Sequence, residues 1–159
     1  MKKIVIASSN PGKLREFGAL FVDRDISIVP QKEFGIGDAD ECGLSFVENA
    51  IIKARHAASQ TNLPAIADDS GLEVDAIPDE LGIFSARFGG EGFSDQDKNA
   101  LLLKKLDGVP FEKRTARFVS LVVFYNLDKT YYSFEGSREG MITESPKGNN
   151  GFGYDPIFY

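Results

Sequence analysis

The sequence predicts an α/β fold, and three observations carry that prediction. Ile4–Ala7 is a continuous apolar run, the mark of a strand covered on both faces, and a capped helical segment follows it at once. Ala65-Ile66-Ala67 is a second short apolar run, preceded by a helical segment from Ser45 to about Gln60. Thr115–Tyr125 and Thr130–Glu139 are β-branched and aromatic, and Asn126-Leu127-Asp128-Lys129 joins them as a hairpin of long antiparallel strands.

Taken in order, Ile4–Ala7 leads into Ser8-Ser9-Asn10-Pro11-Gly12-Lys13. Asn10 suits a helix N-cap and Pro11 the first helical position, while Leu14, Phe17, Gly18 and Phe21 recur at helical spacing. A strand, a small polar loop and a helix N-terminus make a natural anion site. Lys13 stands in the first turn, where the helix dipole disfavours a cation unless an anion sits nearby; otherwise it is an exposed lysine on a capped helix. Ile26–Val29 reads as a strand ended by Pro30, and Glu33–Gly43 as an acidic, glycine-containing loop, solvated or supplying a metal ligand.

Ser45 and Glu48 form a capping box for the next helix. Val47, Ala50, Ile51, Ala54 and Ala58 share its apolar face; Asn49, Lys53, His56 and Gln60 share the polar one. Further on, Phe84–Phe88 and Gly89-Gly90-Glu91-Gly92 read as a flexible connector, a hinge between lobes. Ser94 and Asp97 cap a helix that ends at Asp107-Gly108. Phe152-Gly153-Tyr154-Asp155-Pro156 fits either a base-stacking segment or an edge strand.

The stretch richest in chemistry is Pro64–Asp75. It reads as a buried strand that surfaces at a turn, Asp68-Asp69-Ser70-Gly71, before a second strand alternates through Leu72-Glu73-Val74-Asp75. Ligands in open α/β sheets sit outside the carboxyl ends of strands. Adjacent strand residues point to opposite faces, so one of the two aspartates faces a shared ligand. The alternative is an acidic turn whose carboxylates cap free amides.

Composition excludes several classes. The 159 residues fit one domain, 1–159. Eighteen basic against 24 acidic residues leave a net charge of −6, so neither a nucleic-acid polymer nor a membrane is an expected partner. Any phosphate must be held by local cations, amides or a metal. One cysteine, Cys42, rules out an intrachain disulfide, and a single histidine, His56, argues against a zinc site and a Ser-His-Asp triad. Met1–Ala7 is too short for a signal-peptide core, and a cytoplasmic location is expected.

Ser8–Lys13, Glu48-Asn49-Ala50 with Lys53-Ala54, Ala67–Leu72, Phe84–Phe88 and Gly151–Pro156 together carry a resemblance. In this set and order they make the chain similar to the inosine triphosphate pyrophosphatase family, from Lys3 to Tyr159. The resemblance implies a two-lobed α/β fold around a central twisted mixed sheet flanked by helices. It implies a homodimer that uses Mg²⁺ to split deaminated purine nucleoside triphosphates (ITP, dITP, XTP) into monophosphate and pyrophosphate. Carried onto this sequence, Asp69 is the catalytic base, and Glu41, Asp69 and Asp68 are metal residues. Ser8, Asn10, Lys13 and Lys53 hold the triphosphate, Ser9 and Ser70 also contact the substrate, and Phe152, Gly153, Tyr154 and Asp155 meet base and sugar. The family pattern also includes residues beyond the Tyr-Asp-Pro-Ile-Phe segment, among them a Ser-His-Arg motif that reads the base. This chain stops at Tyr159, so low base selectivity is expected. The alternative from another class is a nucleotide-binding domain with little turnover. A pyrophosphatase of modified pyrimidines ranks lower, since its Ser-x-Ser-Pro-Arg-Arg opening is absent.

Overall fold

A computed structural model describes residues 2–159. Among the described residues, five strands and three α-helices follow in the order β1 (Lys2–Ile6), α1 (Pro11–Leu20), β2 (Ile26–Pro30), α2 (Phe46–Thr61), β3 (Ala65–Val74), α3 (Asp95–Lys105), β4 (Thr115–Tyr125) and β5 (Tyr131–Met141). The strands form one sheet in the order β2-β1-β3-β4-β5. β1 runs parallel to β2, with Val5 opposite Val29, and parallel to β3, with Ile6 opposite Ile66. β4 and β5 are neighbours joined by a tight turn in which Asn126 N donates to Thr130 O at 2.9 Å. The sheet is therefore mixed. No helix among the described residues is long and apolar enough to cross a membrane.

The described chain packs as two units, each with its own core. One holds the described residues up to Asp69 together with Ser120–Glu135; the other holds Ser70–Val119 and Gly136–Tyr159. The chain passes from one to the other inside β3, β4 and β5 rather than through linkers. The Phe84–Gly92 segment, expected to be a hinge between lobes, lies wholly inside the second unit. Much of it is a 3-10 helix, Gly82–Arg87, with Ser85 buried.

In the first unit the alternation of strand side chains sorts the two helices. Val5, Ala7, Ala65, Ala67, Leu121 and Val123 point to one face and pack against Ala50, Ala54, Ala57 and Ala58 of α2. Ile4, Ile6, Ile66, Val122 and Phe124 point to the other, against Leu14, Phe17 and Phe21 of the α1 region. Odd positions meet α2 and even positions meet α1, as a period of two requires. The alanine face lets α2 approach the sheet closely. The bulkier α1 face gains about 1.5–3 kcal/mol for each large aliphatic or aromatic side chain it fully buries.

The core of the second unit is built from Leu72, Val74, Leu81, Phe88, Leu102, Leu106, Ala116, Ile142, Tyr154 and Ile157. Arg114 is buried beside it. Its guanidinium donates to the carbonyls of Val109 (2.9 Å), Leu106 (2.9 Å) and Thr143 (3.1 Å), tying the end of α3 to the segment after β5. Met141 and Tyr159 exchange both backbone hydrogen bonds at 2.9 Å, so the chain ends paired to the last residue of β5.

Several local expectations are met. Asn10 caps α1 by accepting from Gly12 N and Lys13 N, and Ser94 with Asp97 forms a complete capping box on α3. Three differ. The helix at α3 ends at Lys105, before Asp107-Gly108. At α2, Ser45 Oγ accepts from Glu48 N as the box requires, but Glu48 Oε2 accepts from Leu44 N at 2.6 Å, one residue earlier than a full box needs. The turn expected at Ser70-Gly71 does not exist, because β3 runs unbroken from Ala65 to Val74. Gly71 is there for closeness. A Cβ on it would collide with Gly82 O and stand 2.8 Å from Ser85 Oγ.

Candidate active site

The loop between β1 and α1 is held by its own side chains. Ser8 is buried, and its hydroxyl accepts from Asn10 N at 3.2 Å. Asn10 Oδ1 accepts from the amides of Gly12 (2.8 Å) and Lys13 (3.3 Å), two of the free donors that any helix start presents. Ser9 Oγ donates to Asp38 Oδ2 at 2.5 Å, and Asp38 Oδ1 accepts from Gln31 Nε2 at 2.6 Å. The opening loop is thereby pinned to the acidic segment that precedes α2.

Asp68 and Asp69 occupy successive positions of β3, and both are buried, at 5% and 6% exposure. The even–odd rule sends them to different helices. Asp68 follows Ile66 to the α1 face, where its Oδ2 lies 2.7 Å from Lys13 Nζ. Lys13 is thus an ion-pair partner with a largely covered side chain rather than an exposed lysine. Asp69 follows Ala67 to the α2 face, where Lys53, Glu41 and Asn49 act on it. Burial is the largest influence there and raises its pKa above the ordinary carboxylate value. Lys53 opposes that rise, Glu41 adds to it by like-charge repulsion, and Asn49 and Lys13 oppose it.

Glu41 arrives on the loop before α2, its Oε1 3.5 Å from Lys53 Nζ. Three contacts lay this loop along the polar side of α2. His56 Nε2 is 3.2 Å from Gly37 O, Gly43 N donates to Asn49 Oδ1 at 2.8 Å, and Leu44 N donates to Glu48. The polar side of α2 is accordingly covered in part rather than left to solvent. Asn49 is fully buried and His56 half-buried.

Among the described residues no group of three Asp, Glu, His or Cys side chains is placed to hold a metal. Glu41 and Asp69 share Lys53, whereas Asp68 is turned away to Lys13, so the three carboxylates read as metal residues do not form one cluster. Two buried carboxylate oxygens, Asp69 Oδ2 and Asp68 Oδ1, have no hydrogen-bond partner. Buried polar atoms are normally paired, and an unpaired carboxylate oxygen beside a second acid suits a divalent cation.

Ser70 follows Asp69 in β3, half-buried, and is assigned to the second unit. The second unit also carries Phe152–Asp155, and much of this segment is committed to internal contacts. Tyr154 is buried and its hydroxyl donates to Ser85 O at 2.6 Å. Asp155 Oδ2 accepts from Phe152 N at 2.9 Å. The peptide of Gly153 is gripped on both sides by α3, its N–H donating to Asp95 Oδ2 (3.0 Å) and its carbonyl accepting from Asn99 Nδ2 (3.1 Å). Phe152 is half-buried.

Asp38, Gln31 and Asn99 carry no sequence signal for any of these contacts. Asn49 alone leaves a trace, standing one helical turn before Lys53 on the same side of α2.

A parallel sheet region covered by one helix on each face, with buried acids at β3 bracketed by lysines of both helices, defines an α/β protein with a charged site on its sheet. Comparison with known proteins places it further. The chain belongs to the Ham1 family, which it matches over residues 4–159. It is 52% identical over 161 aligned residues to the dITP/XTP pyrophosphatase of Yersinia pseudotuberculosis, covering all of this chain and 82% of that protein. The Photobacterium profundum protein of the same name is 49% identical over the same shares. Among solved structures, a HAM1 protein from Coxiella burnetii superposes with a TM-score of 0.88 at 44% identity, over 100% of this chain and 82% of that one. The Staphylococcus aureus Ham1 protein gives 0.85 at 43% identity, over 99% and 81%.

Proposed function

We propose that this chain hydrolyses deaminated purine nucleoside triphosphates, dITP, XTP and ITP, to the monophosphate and pyrophosphate, with Mg²⁺, as a cytoplasmic homodimer. The observation that carries this reading is Asp69: buried, with an unpartnered oxygen, raised pKa, and Lys53 and Glu41 beside it. The printed activity of the relatives supports the choice of substrate. The homodimer rests on the family resemblance.

In the proposed reaction a water oxygen bonds to the α-phosphorus, the bridging α–β P–O bond breaks, and pyrophosphate leaves. Asp69 accepts the water's proton. Its raised pKa suits a base, which works best when its pKa approaches the operating pH. Lys13 and Lys53 neutralise phosphate charge, and Ser8, Ser9, Asn10 and Ser70 orient the chain of phosphates. The amide hydrogens that Asn10 now occupies lie at the N-terminus of α1, where the helix dipole favours an anion. Glu41 and Asp69 would hold Mg²⁺, which typically takes one or two protein carboxylates and completes its shell with substrate phosphates and water. That ion would supply charge neutralisation on the phosphates. Asp68 serves by fixing Lys13. Phe152 stacks on the base, and Gly153, Tyr154 and Asp155 shape the segment that presents it to base and sugar.

The test is a panel of dITP, XTP, ITP, dATP and dGTP, each with and without Mg²⁺, read by pyrophosphate release. Turnover of the deaminated triphosphates with Mg²⁺ supports the reading. Tight binding of dITP without turnover would identify a nucleotide-binding domain instead.

A further inference from the structure

We propose that Asn49 is a positioning residue that couples the Glu41-bearing loop to Asp69. It rests on the reading of Glu41 and Asp69 as the acidic pair of the site. Asn49 lies in the first turns of α2, fully buried in a protein where most polar side chains are wet. Its Oδ1 accepts from Gly43 N at 2.8 Å. That contact fixes which way the amide points, because the opposite orientation would set its NH₂ against the Gly43 N–H. The NH₂ group is left buried without a hydrogen-bond partner of its own, and the Asn49 amide acts on the Asp69 carboxylate, favouring its charged form. Asp69 Oδ2 is likewise without a partner.

A buried donor on Asn49 and a buried acceptor on Asp69 are thus both unsatisfied, on two side chains that interact. They are linked through one rigid amide to the loop residue two places after Glu41. A small shift of this loop as the site fills moves Glu41 and the Asn49 NH₂ together, so both acids are set by a single side chain. Gly43 is part of the device. A Cβ there would come within 2.6 Å of Asn49 Oδ1 and 2.8 Å of Glu48 Cβ, so only glycine lets the loop sit this close to α2.

The variants Asn49→Ala and Gly43→Ala test this, the second keeping the amide but forcing the loop away from it. Three quantities are measured for each: the Mn²⁺ dissociation constant by electron paramagnetic resonance, kcat and KM for dITP, and Tm. Groups that orient metal-binding carboxylates typically cost about 10–100-fold in metal affinity or activity when removed. Both variants are expected to weaken Mn²⁺ binding and lower kcat within that range, with KM for dITP little changed. A lowered Tm with unchanged Mn²⁺ affinity and unchanged kcat, measured well below the transition, would mean that Asn49 only packs α2 and would overturn the proposal. Should Asn49→Ala fail to fold, Gly43→Ala alone decides. If the parent chain binds Mn²⁺ but does not turn over dITP, the proposed substrate fails while the metal affinities still read the role of Asn49. A parent chain that does not bind Mn²⁺ overturns the coupling.

Discussion

Lys13 Nζ and Asp68 Oδ2 lie 2.7 Å apart, with side-chain exposures of 17% and 7%, so the first turn of α1 is bolted to the strand that carries the acids. Exposed ion pairs contribute about 0–1 kcal/mol, whereas breaking a buried pair costs about 3–5 kcal/mol because one charge is left uncompensated. Lys13→Met is expected to fall between these limits in urea unfolding. The double variant Lys13→Met, Asp68→Asn should recover much of the loss. Recovery of nothing would mean that the two side chains act independently.

Asp69→Asn separates catalysis from stability. Loss of a general base alone lowers the rate by about 10²–10⁴-fold, and the lost metal contact adds to this. In metal-free buffer the same change is expected to raise Tm at pH 7, since it removes a charge that burial opposes. A variant within tenfold of the parent kcat would remove Asp69 from the chemistry.

The sign of the pH effect follows from that raised pKa. Between the unfolded value, 3.8, and the higher folded one, Asp69 binds more protons folded than unfolded, so its contribution to stability falls as pH rises. Above the folded pKa the penalty is complete; below 3.8 it has vanished. The metal-free stability gap between Asp69→Asn and the parent chain should therefore shrink as pH is lowered from 7 towards 4. A gap independent of pH would show that Asp69 is ionised without cost.

Arg114→Met tests the clamp of the second unit. Three carbonyls would lose a charged donor, each such bond contributing about 1.5–3 kcal/mol. A loss of at least about 3 kcal/mol is expected in chemical denaturation, with Arg114→Lys little better, since one ammonium cannot reproduce a planar fork.

Gly71→Ala places a methyl carbon against the Gly82 carbonyl, which is backbone and cannot swing aside. Overpacking of this kind typically costs about 1–3 kcal/mol. The value here should lie at the upper end, read as a fall in Tm.

These residues also show where sequence reasoning succeeds and stops. The caps at Asn10 and at Ser94 with Asp97 are legible because a cap is a local bargain between one side chain and amides two or three residues on. The opposite facing of Asp68 and Asp69 is legible because alternation is a property of any strand. Gly71 reads as a turn residue in sequence, since what it makes room for, Gly82 O and Ser85 Oγ, lies more than ten residues away. The covering of Asn49 and His56 is invisible because helical periodicity reports the side of a helix that is polar, not what lies over it. Lys13 is visible as a misplaced cation, but its partner Asp68 stands 55 positions along the chain, beyond any local rule.

The parity of β3 bears on how this chain can change length. Inserting or deleting one residue between Ala65 and Asp68 would not erase the acids. It would exchange them, sending the carboxylate meant for Lys53 and Glu41 to Lys13 and the other in its place, while Ala65, ahead of the change, kept its face. A two-residue change preserves the sorting and shifts only how far along the strand the acids lie. Within this strand, single-residue steps in length are therefore closed to drift, and viable descendants are expected to differ here by substitution or by pairs.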